Sequence, residues 1–303
     1  MSILIDENTK FIIQGITGRE AVNMTRECLD YGSKVVAGVT PGRKGRDVYG
    51  VPVYDTVREI TDQMEVDGSV ITVPAPFAAD AVLEAIDAGI KLIVVVTERI
   101  PRAQVAQFIE FADAKGARLI GPNCLGIISP DKAKMGGIGG TALDTQKAYT
   151  PGYVGVMSRS GGMTTEICDT LTAAGLGEST AVSIGGDPMI GSTYAELMPL
   201  FEADEQTQAI VIYSEPGGPM DAQLANYVQE SGSQLPIIAF MAGRFMDEMP
   251  GMRFGHAGTI VEGKADTAVE KIRLLEEAGI HVAQGISEIP DLVKSAVEKG
   301  GNQ

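Results

Sequence analysis

Two histidines, His256 and His281, and three cysteines, Cys28, Cys124 and Cys168, occur in 303 residues. The cysteines are far apart, odd in number and not spaced as metal ligands. That speaks against a disulfide framework and fits a reducing, cytoplasmic setting. No apolar run approaches the ~20 residues that span a bilayer, so no membrane partner is expected. The opening residues 1–6 lack a basic region followed by an apolar stretch, so no secretory signal is expected. Bases are scarce: 24 Lys and Arg stand against 40 Asp and Glu, a net charge of −16, which argues against nucleic acid as a partner. Neither a Walker A sequence nor the full G-x-G-x-x-G fingerprint is present. An anionic ligand must therefore be held by backbone dipoles and a few bases.

What is present is organised around Arg253-Phe254-Gly255-His256-Ala257-Gly258. A neutral imidazole attacks phosphorus at cell pH, and glycine on one side with a small residue on the other admits a bulky phosphoryl donor. Residues 243–252, rich in Gly and Met with little periodicity, read as a mobile loop. A lone histidine is more often a packing residue, and His281, just before Val282, is taken as one.

Apolar runs alternate with helical periodicity along the chain. Strands are expected at 11–14, 34–40, 69–73, 92–96 and 118–121. Helices between them carry Ala21, Met24 and Cys28; Val57 and Ile60 behind an Asp55 cap; Val82 and Ile86; and Val105 and Phe108. A second set has strands at 153–157, 180–184, 209–213, 236–240 and 281–283. Its helices start at Gly161 and near Tyr194, Asp221, Thr267 and Glu288, with Pro199 predicting a kink or a shortened helix. Residues 129–151, weakly periodic and rich in Gly, Thr and Lys, read as a linker. Continuous apolar strands between amphipathic helices predict α/β domains with parallel sheets covered on both faces. No hydrophobic repeat of coiled-coil type appears.

Three glycine-rich strand-to-helix turns carry chemistry. Gly15 to Glu20 has the form of a phosphate-binding helix start. Thr40-Pro41-Gly42-Arg43-Lys44-Gly45-Arg46 concentrates three bases at a strand end, suited to a second phosphate or simply solvated. Ser158-Arg159-Ser160-Gly161-Gly162 opens a helix whose N-terminus suits a phosphate or carboxylate. Glu215, in Ser214-Glu215-Pro216-Gly217-Gly218, ends a strand on the edge where ligands bind in open α/β sheets. It is placed to accept from one ring nitrogen of His256 and leave the other free, although a solvated turn is the alternative.

With these motifs the chain resembles, over nearly its whole length, the α subunits of the succinyl-CoA synthetases (ADP- or GDP-forming succinate–CoA ligases). The matching stretches are Gln14-Gly15-Ile16-Thr17-Gly18, Gly38-Val39-Thr40-Pro41-Gly42, Val73-Pro74-Ala75-Pro76-Phe77, Thr97-Glu98, Gly121-Pro122-Asn123-Cys124, Ser158-Arg159-Ser160-Gly161, Gly185-Gly186-Asp187-Pro188 and Gly255-His256-Ala257-Gly258. The resemblance implies a Rossmann-like coenzyme A-binding domain at 1–128, a linker at 129–151, and a flavodoxin-like α/β ligase domain at 152–303. It implies coenzyme A at Thr17, Gly18, Arg19 and Glu20, with Arg43, Pro74, Val96, Thr97, Glu98 and Asn123 around it. His256 becomes the phosphorylated residue and Glu215 its orienting partner, while Ser160, Gly161, Gly162 and Thr165 face the acid or its phosphate. An ATP-grasp β subunit, in a heterodimer or heterotetramer, would supply ATP or GTP with Mg²⁺; no metal site is expected here. The substrate is a small carboxylic acid.

Departures from that pattern gather near the acid. Family members usually have Gly-Lys where this chain has Gly42-Arg43. Succinate-specific members carry a tyrosine at the position of Thr165. The Ser-Gly-Gly-Met run and Phe254 look more like ATP-citrate lyase and its citryl-CoA synthetase relatives. Thr165 and Gly162 thus suggest a wider, more polar acid pocket and a substituted acid of citrate, malate or sulfoacetate type as the alternative to succinate. A coenzyme A-binding regulatory module is the rival outside the class, opposed by the intact Gly-His-Ala-Gly and Glu215.

Overall fold

A computed structural model describes residues 2–300. Its first half is a seven-stranded sheet of β1 (Lys10–Gln14), β2 (Lys34–Val39), β3 (Asp47–Val48), β4 (Val51–Tyr54), β5 (Gly68–Ile71), β6 (Leu92–Val95) and β7 (Arg118–Ile120). The order is β3-β4-β2-β1-β5-β6-β7, parallel apart from the short antiparallel β3 edge. Helices α1 (Arg19–Asp30), α2 (Val57–Thr61), α3 (Ala75–Asp87) and α4 (Arg102–Lys115) connect it. β5 and β6 are buried at every position, as the apolar runs require of strands covered on both faces. From β4 onward this is the doubly wound, Rossmann-like order, with its direction reversing between β1 and β5.

The second half holds β8 (Gly126–Ser129), β9 (Ala133–Gly136), β10 (Pro151–Ser158), β11 (Glu178–Ser183), β12 (Ala209–Ser214), β13 (Ile237–Met241) and β14 (His281–Ala283). Helices α5 (Ala142–Ala148), α6 (Gly161–Ala173), α7 (Tyr194–Glu202), α8 (Met220–Ser231), α9 (Ala268–Glu277) and α10 (Ile289–Gly300) pack around them. The order β14-β13-β12-β10-β11-β8-β9 contains the flavodoxin-like parallel set, reversing between β10 and β12. No helix among the described residues is long and apolar enough to cross a membrane.

Three local expectations change. Residues 129–151 are not a bare linker: β8 and β9 form a hairpin that pairs antiparallel with β11, and α5 follows. Met135 of β9 is fully buried, and a Cβ on Gly68 would lie 2.6 Å from its Cε, so the hairpin belongs to the core shared by both sheets. Burial on that scale is worth about 1.5–3 kcal/mol per side chain, which periodicity over so short a strand does not reveal. Asp55 does not cap α2; Thr56 does, accepting from the Glu59 amide. Asp55 Oδ1 instead accepts from the amides of Gly42, Arg43 and Lys44, at 2.7, 3.2 and 3.3 Å. Residues 243–252 hold a 3₁₀ turn, Arg244–Glu248, because Asp247 accepts from the amides of Ala268 and Val269 and thereby ties the turn to the start of α9. Pro199 lies inside α7, which ends three residues later at Glu202.

Candidate active site

Each sheet opens a crevice at its reversal point. In the first, Gly15 turns at φ +85° and a Cβ there would meet Thr72 Oγ1 at 2.9 Å, so both the backbone and the space call for glycine. Gly18 precedes α1 as its N-cap, offers no side chain to the first-turn amides and leaves their partial positive charge facing outward. The Thr17 hydroxyl bonds Thr40 Oγ1 at 3.2 Å, pinning this turn to the end of β2. The result is a cavity of about 550 Å³ lined by Gly15, Thr17, Gly18, Thr40, Pro74 and Phe77 among others. Phe77 is exposed over most of its surface, a flat apolar face beside amide donors. Amides for phosphates and a ring for a base suit a nucleotide-like ligand.

In the second crevice, β10 ends in Ser158-Arg159-Ser160 and β12 in Ser214-Glu215. The His256 Nδ1 and Glu215 Oε2 lie 2.8 Å apart, and the Thr259 hydroxyl donates to the same oxygen at 3.0 Å. Burial raises the affinity of the Glu215 carboxyl for protons, but bonds from His256 and Thr259 and the charge of Arg159 outweigh it, holding the carboxyl below its ordinary range. An ionised Glu215 is an acceptor only, so Nδ1 carries a proton toward it, and in the neutral imidazole Nε2 is the nitrogen with the free lone pair. The ring sits at a cleft of about 510 Å³, also lined by Glu98, Arg99, Arg102, Asn123 and Asp187. A nucleophilic nitrogen with its partner nitrogen held by a carboxylate is the arrangement for covalent catalysis.

Backbone bonds couple the crevices. Thr97 O accepts from Asn123 N, Asn123 O from Gly186 N, and Gly186 O from Gly258 N, at 3.1, 3.2 and 3.3 Å. The Asn123 amide also donates to Asp187 Oδ1 at 3.0 Å. Burial pushes the Asp187 carboxyl upward; the Asn123 bond opposes this and the nearby charge of Glu98 adds to it.

The residues expected at coenzyme A fall into four groups. Thr17, Gly18 and Pro74 line the first cavity, with Arg19 and Glu20 exposed beside it. Glu98 and Asn123 line the His256 cleft instead. Val96 and Thr97 line neither; the Thr97 hydroxyl ties β5 to β6 by donating to Val73 O at 2.7 Å. In the basic turn the amides of residues 42–44 are taken by Asp55 and Lys44 pairs with Glu59, leaving the exposed Arg43 side chain available.

Ser160 caps α6 by accepting from Met163 N, and Gly161 is required because a Cβ would lie 2.3 Å from Leu125 Cγ. Gly162 is exposed, and a Cβ there would meet nothing within 4 Å. Thr165 turns inward, its hydroxyl 2.8 Å from that of Tyr149, and it is not among the residues lining the His256 cleft. The wider acid pocket expected from Thr165 therefore does not open there. His281 is exposed on β14, away from this cleft.

Four further residues build the site. Arg159, 2% exposed, donates to the carbonyls of Gly186 and Asp187 and charges the floor beneath Glu215; a base between two serines at a strand end was its only signal. Thr259 stands three residues after His256. Gly186 stood in the matching stretch Gly185-Gly186-Asp187-Pro188 with no role assigned to it, and Lys271 left no local signal. Lys271 is buried, and its Nζ donates to Glu215 O, Gly217 O and Asp221 Oδ2, fixing the turn that carries Glu215. Cys28, Cys124 and Cys168 are free and buried, and burial pushes the Cys28 thiol up to about 11.

Residues 6–99 match the family model described as CoA binding domain, and residues 157–281 that described as CoA-ligase. The chain is 44% identical over 298 residues to the succinate–CoA ligase [ADP-forming] subunit alpha 1 of Archaeoglobus fulgidus, covering 98% of this chain and 99% of that one. It is 42% identical over 301 residues to the corresponding alpha subunit of Staphylococcus epidermidis, covering 99% and 97%. The ATP citrate lyase of Methanosaeta concilii, solved with (3S)-citryl-CoA, superposes with a TM-score of 0.91 at 24% identity. That likeness is one of fold, and this chain spans 51% of the lyase chain. By sequence over its whole length, the chain belongs to the family of succinate–CoA ligase alpha subunits.

Proposed function

We propose that this chain is the α subunit of a nucleoside-diphosphate-forming carboxylate–CoA ligase working through phosphohistidine. The observation that carries the reading is His256, its Nδ1 held by ionised Glu215 and its Nε2 left as the nucleophile at a cleft. Nε2 attacks the γ-phosphorus of a nucleoside triphosphate presented by an ATP-grasp β subunit; an N–P bond forms and the diphosphate leaves. The acid's carboxylate oxygen then attacks that phosphorus, breaking the N–P bond and giving an acyl phosphate. The thiol of coenzyme A adds at the acyl carbon and orthophosphate departs, carrying the activated bond into a thioester. Glu215 stabilises the charge that develops on the ring at each attack. Thr17, Gly18 and the exposed Arg43 would hold the coenzyme's phosphates, while Glu98 and Asn123 flank the reactive end of its arm. Mg²⁺ would serve the nucleotide on the partner. The buried, unpaired cysteines support a cytoplasmic setting.

The test is incubation of the co-purified αβ complex with Mg-ATP labelled in the γ-phosphate. His256 is expected to take up an acid-labile, base-stable label, lost together with turnover in His256→Asn. Glu215→Gln is expected to slow labelling by about 10²–10⁴-fold with coenzyme A affinity unchanged. Turnover retained by His256→Asn would refute the mechanism.

A further inference from the structure

Glu215 is committed to the ring of His256, yet the last step of the ligase reaction needs a group that takes the proton of the coenzyme A thiol. A thiol of ordinary pKa, about 8.5, is almost wholly protonated at neutral pH, and the thiolate is the nucleophile. The cleft of His256 is lined by two further carboxylates, Glu98 and Asp187. The Glu98 side chain is 58% exposed and lies 3.4 Å from Arg99 Nε, so water and a guanidinium both stabilise its charge. Asp187 differs on both counts.

Asp187 is 7% exposed and still lines the cleft. Its carboxylate makes no ion pair among the described residues: Oδ1 accepts from the Asn123 side-chain amide at 3.0 Å, and Oδ2 has no partner there. Arg159, the buried cation of the floor, donates to the Asp187 carbonyl at 3.4 Å and not to its carboxylate. The charged groups that act on it are Glu98, after β6, which opposes ionisation, and His256 and Arg159, which favour it. A desolvated carboxylate that no cation bonds is a stronger proton acceptor than a solvated one. Asn123 and Glu98 belong to the first domain and line this cleft of the second. A coenzyme arm running from the first crevice to the histidine therefore passes the joint where Asn123 holds Asp187.

We propose that Asp187 is the catalytic base for the thiol of coenzyme A, a role that rests on the ligase reading and completes its last step. As sulfur adds to the acyl carbon, the S–H bond breaks and its proton passes to Asp187 Oδ2. The bond from that carbon to the phosphate oxygen then breaks, leaving a thioester. The departing orthophosphate takes the proton from Asp187, which returns to the carboxylate. Asp187 has no part in the two phosphoryl transfers, which belong to His256 and Glu215. One cleft thus holds two carboxylates with separate tasks, one ion-bonded to the nucleophile and one kept free of cations.

The experiment separates the three steps in the αβ complex. Labelling of His256 by Mg-ATP reads the first. Hydroxamate formed with hydroxylamine in place of coenzyme A reads the second, because that neutral amine attacks an acyl phosphate without a base. Acyl-CoA formation reads the third. Succinate, malate and sulfoacetate are offered, and the acid that the wild type turns over fastest is used. Asp187→Asn keeps an acceptor oxygen for the Asn123 amide, and Asp187→Ala leaves room for azide as a replacement base. Both variants are expected to label and to form hydroxamate at the wild-type rate, with acyl-CoA formation lowered by about 10²–10⁴-fold. Azide should restore part of that loss in Asp187→Ala alone. Raising the pH past about 8.5, where the thiol ionises unaided, should narrow the gap in both. Acyl-CoA formed at the wild-type rate by either variant overturns the proposal. A loss of labelling or hydroxamate that matches the loss of acyl-CoA in both variants also overturns it, because Asp187 would then serve the histidine loop. A wild-type complex that takes up no label would instead refute the ligase reading itself.

Discussion

Gly186 forms the floor on which the imidazole of His256 lies: a Cβ at residue 186 would stand 2.4 Å from Cγ and 2.7 Å from Nδ1 of the ring. The same residue accepts from the Gly258 amide and donates to Asn123 O, so it joins the histidine loop to the joint between domains. Gly186→Ala is expected to push the ring off Glu215 while leaving the first cavity intact. Misplacing a nucleophile by about 1 Å costs on the order of 10² in rate. Phosphohistidine formation should slow by about that factor with coenzyme A binding unchanged in calorimetry. Labelling at the wild-type rate would show that the ring tolerates the displacement.

Lys271 uses all three of its protons below the Glu215 turn, on Glu215 O, Gly217 O and Asp221 Oδ2. Both partners of the Lys271–Asp221 pair are 2% exposed. Removing one charge of a buried pair strands the other, at a cost of about 3–5 kcal/mol. Lys271→Met should lower the denaturation free energy by that amount, and adding Asp221→Leu should restore part of it. Urea titrations of the three proteins decide the matter; a loss under 1 kcal/mol in Lys271→Met contradicts the prediction.

Glu178, at the start of β11, is fully buried and its Oε1 has no hydrogen-bond partner. Burial pushes its carboxyl from 4.5 up to about 9, so the folded protein holds a proton that the unfolded chain releases near 4.5. The folded state binds more protons between those values, and stability falls as pH rises. The contribution is whole below pH 4.5 and is lost as pH passes through about 9. Glu178→Gln keeps the shape without the titration. Across pH 5.5–8 the wild type should lose about 1.4 kcal/mol per pH unit relative to that variant. Parallel stability curves for the two proteins would rule this out.

The sequence by itself determined what local spacing can encode. Apolar runs such as 92–96 between amphipathic helices made a doubly wound fold the economical reading, because strands buried on both faces carry no alternation. His256 beside a glycine, and Glu215 at a strand end, were legible for the same reason: their chemistry depends on immediate neighbours. The tertiary structure decided which distant groups meet. His256 finds Glu215 across 41 residues, and Lys271 reaches the Glu215 carbonyl across 56. Lys271 lies on a helix read only from its start near Thr267, Met135 on a hairpin that reads as linker, and Asp55 beside a turn whose amides it occupies. Glu98 and Asn123 belong to the first domain by sequence, yet face the histidine of the second. These outcomes depend on burial and charge compensation between elements far apart in the chain, and no local pattern of residues carries that information.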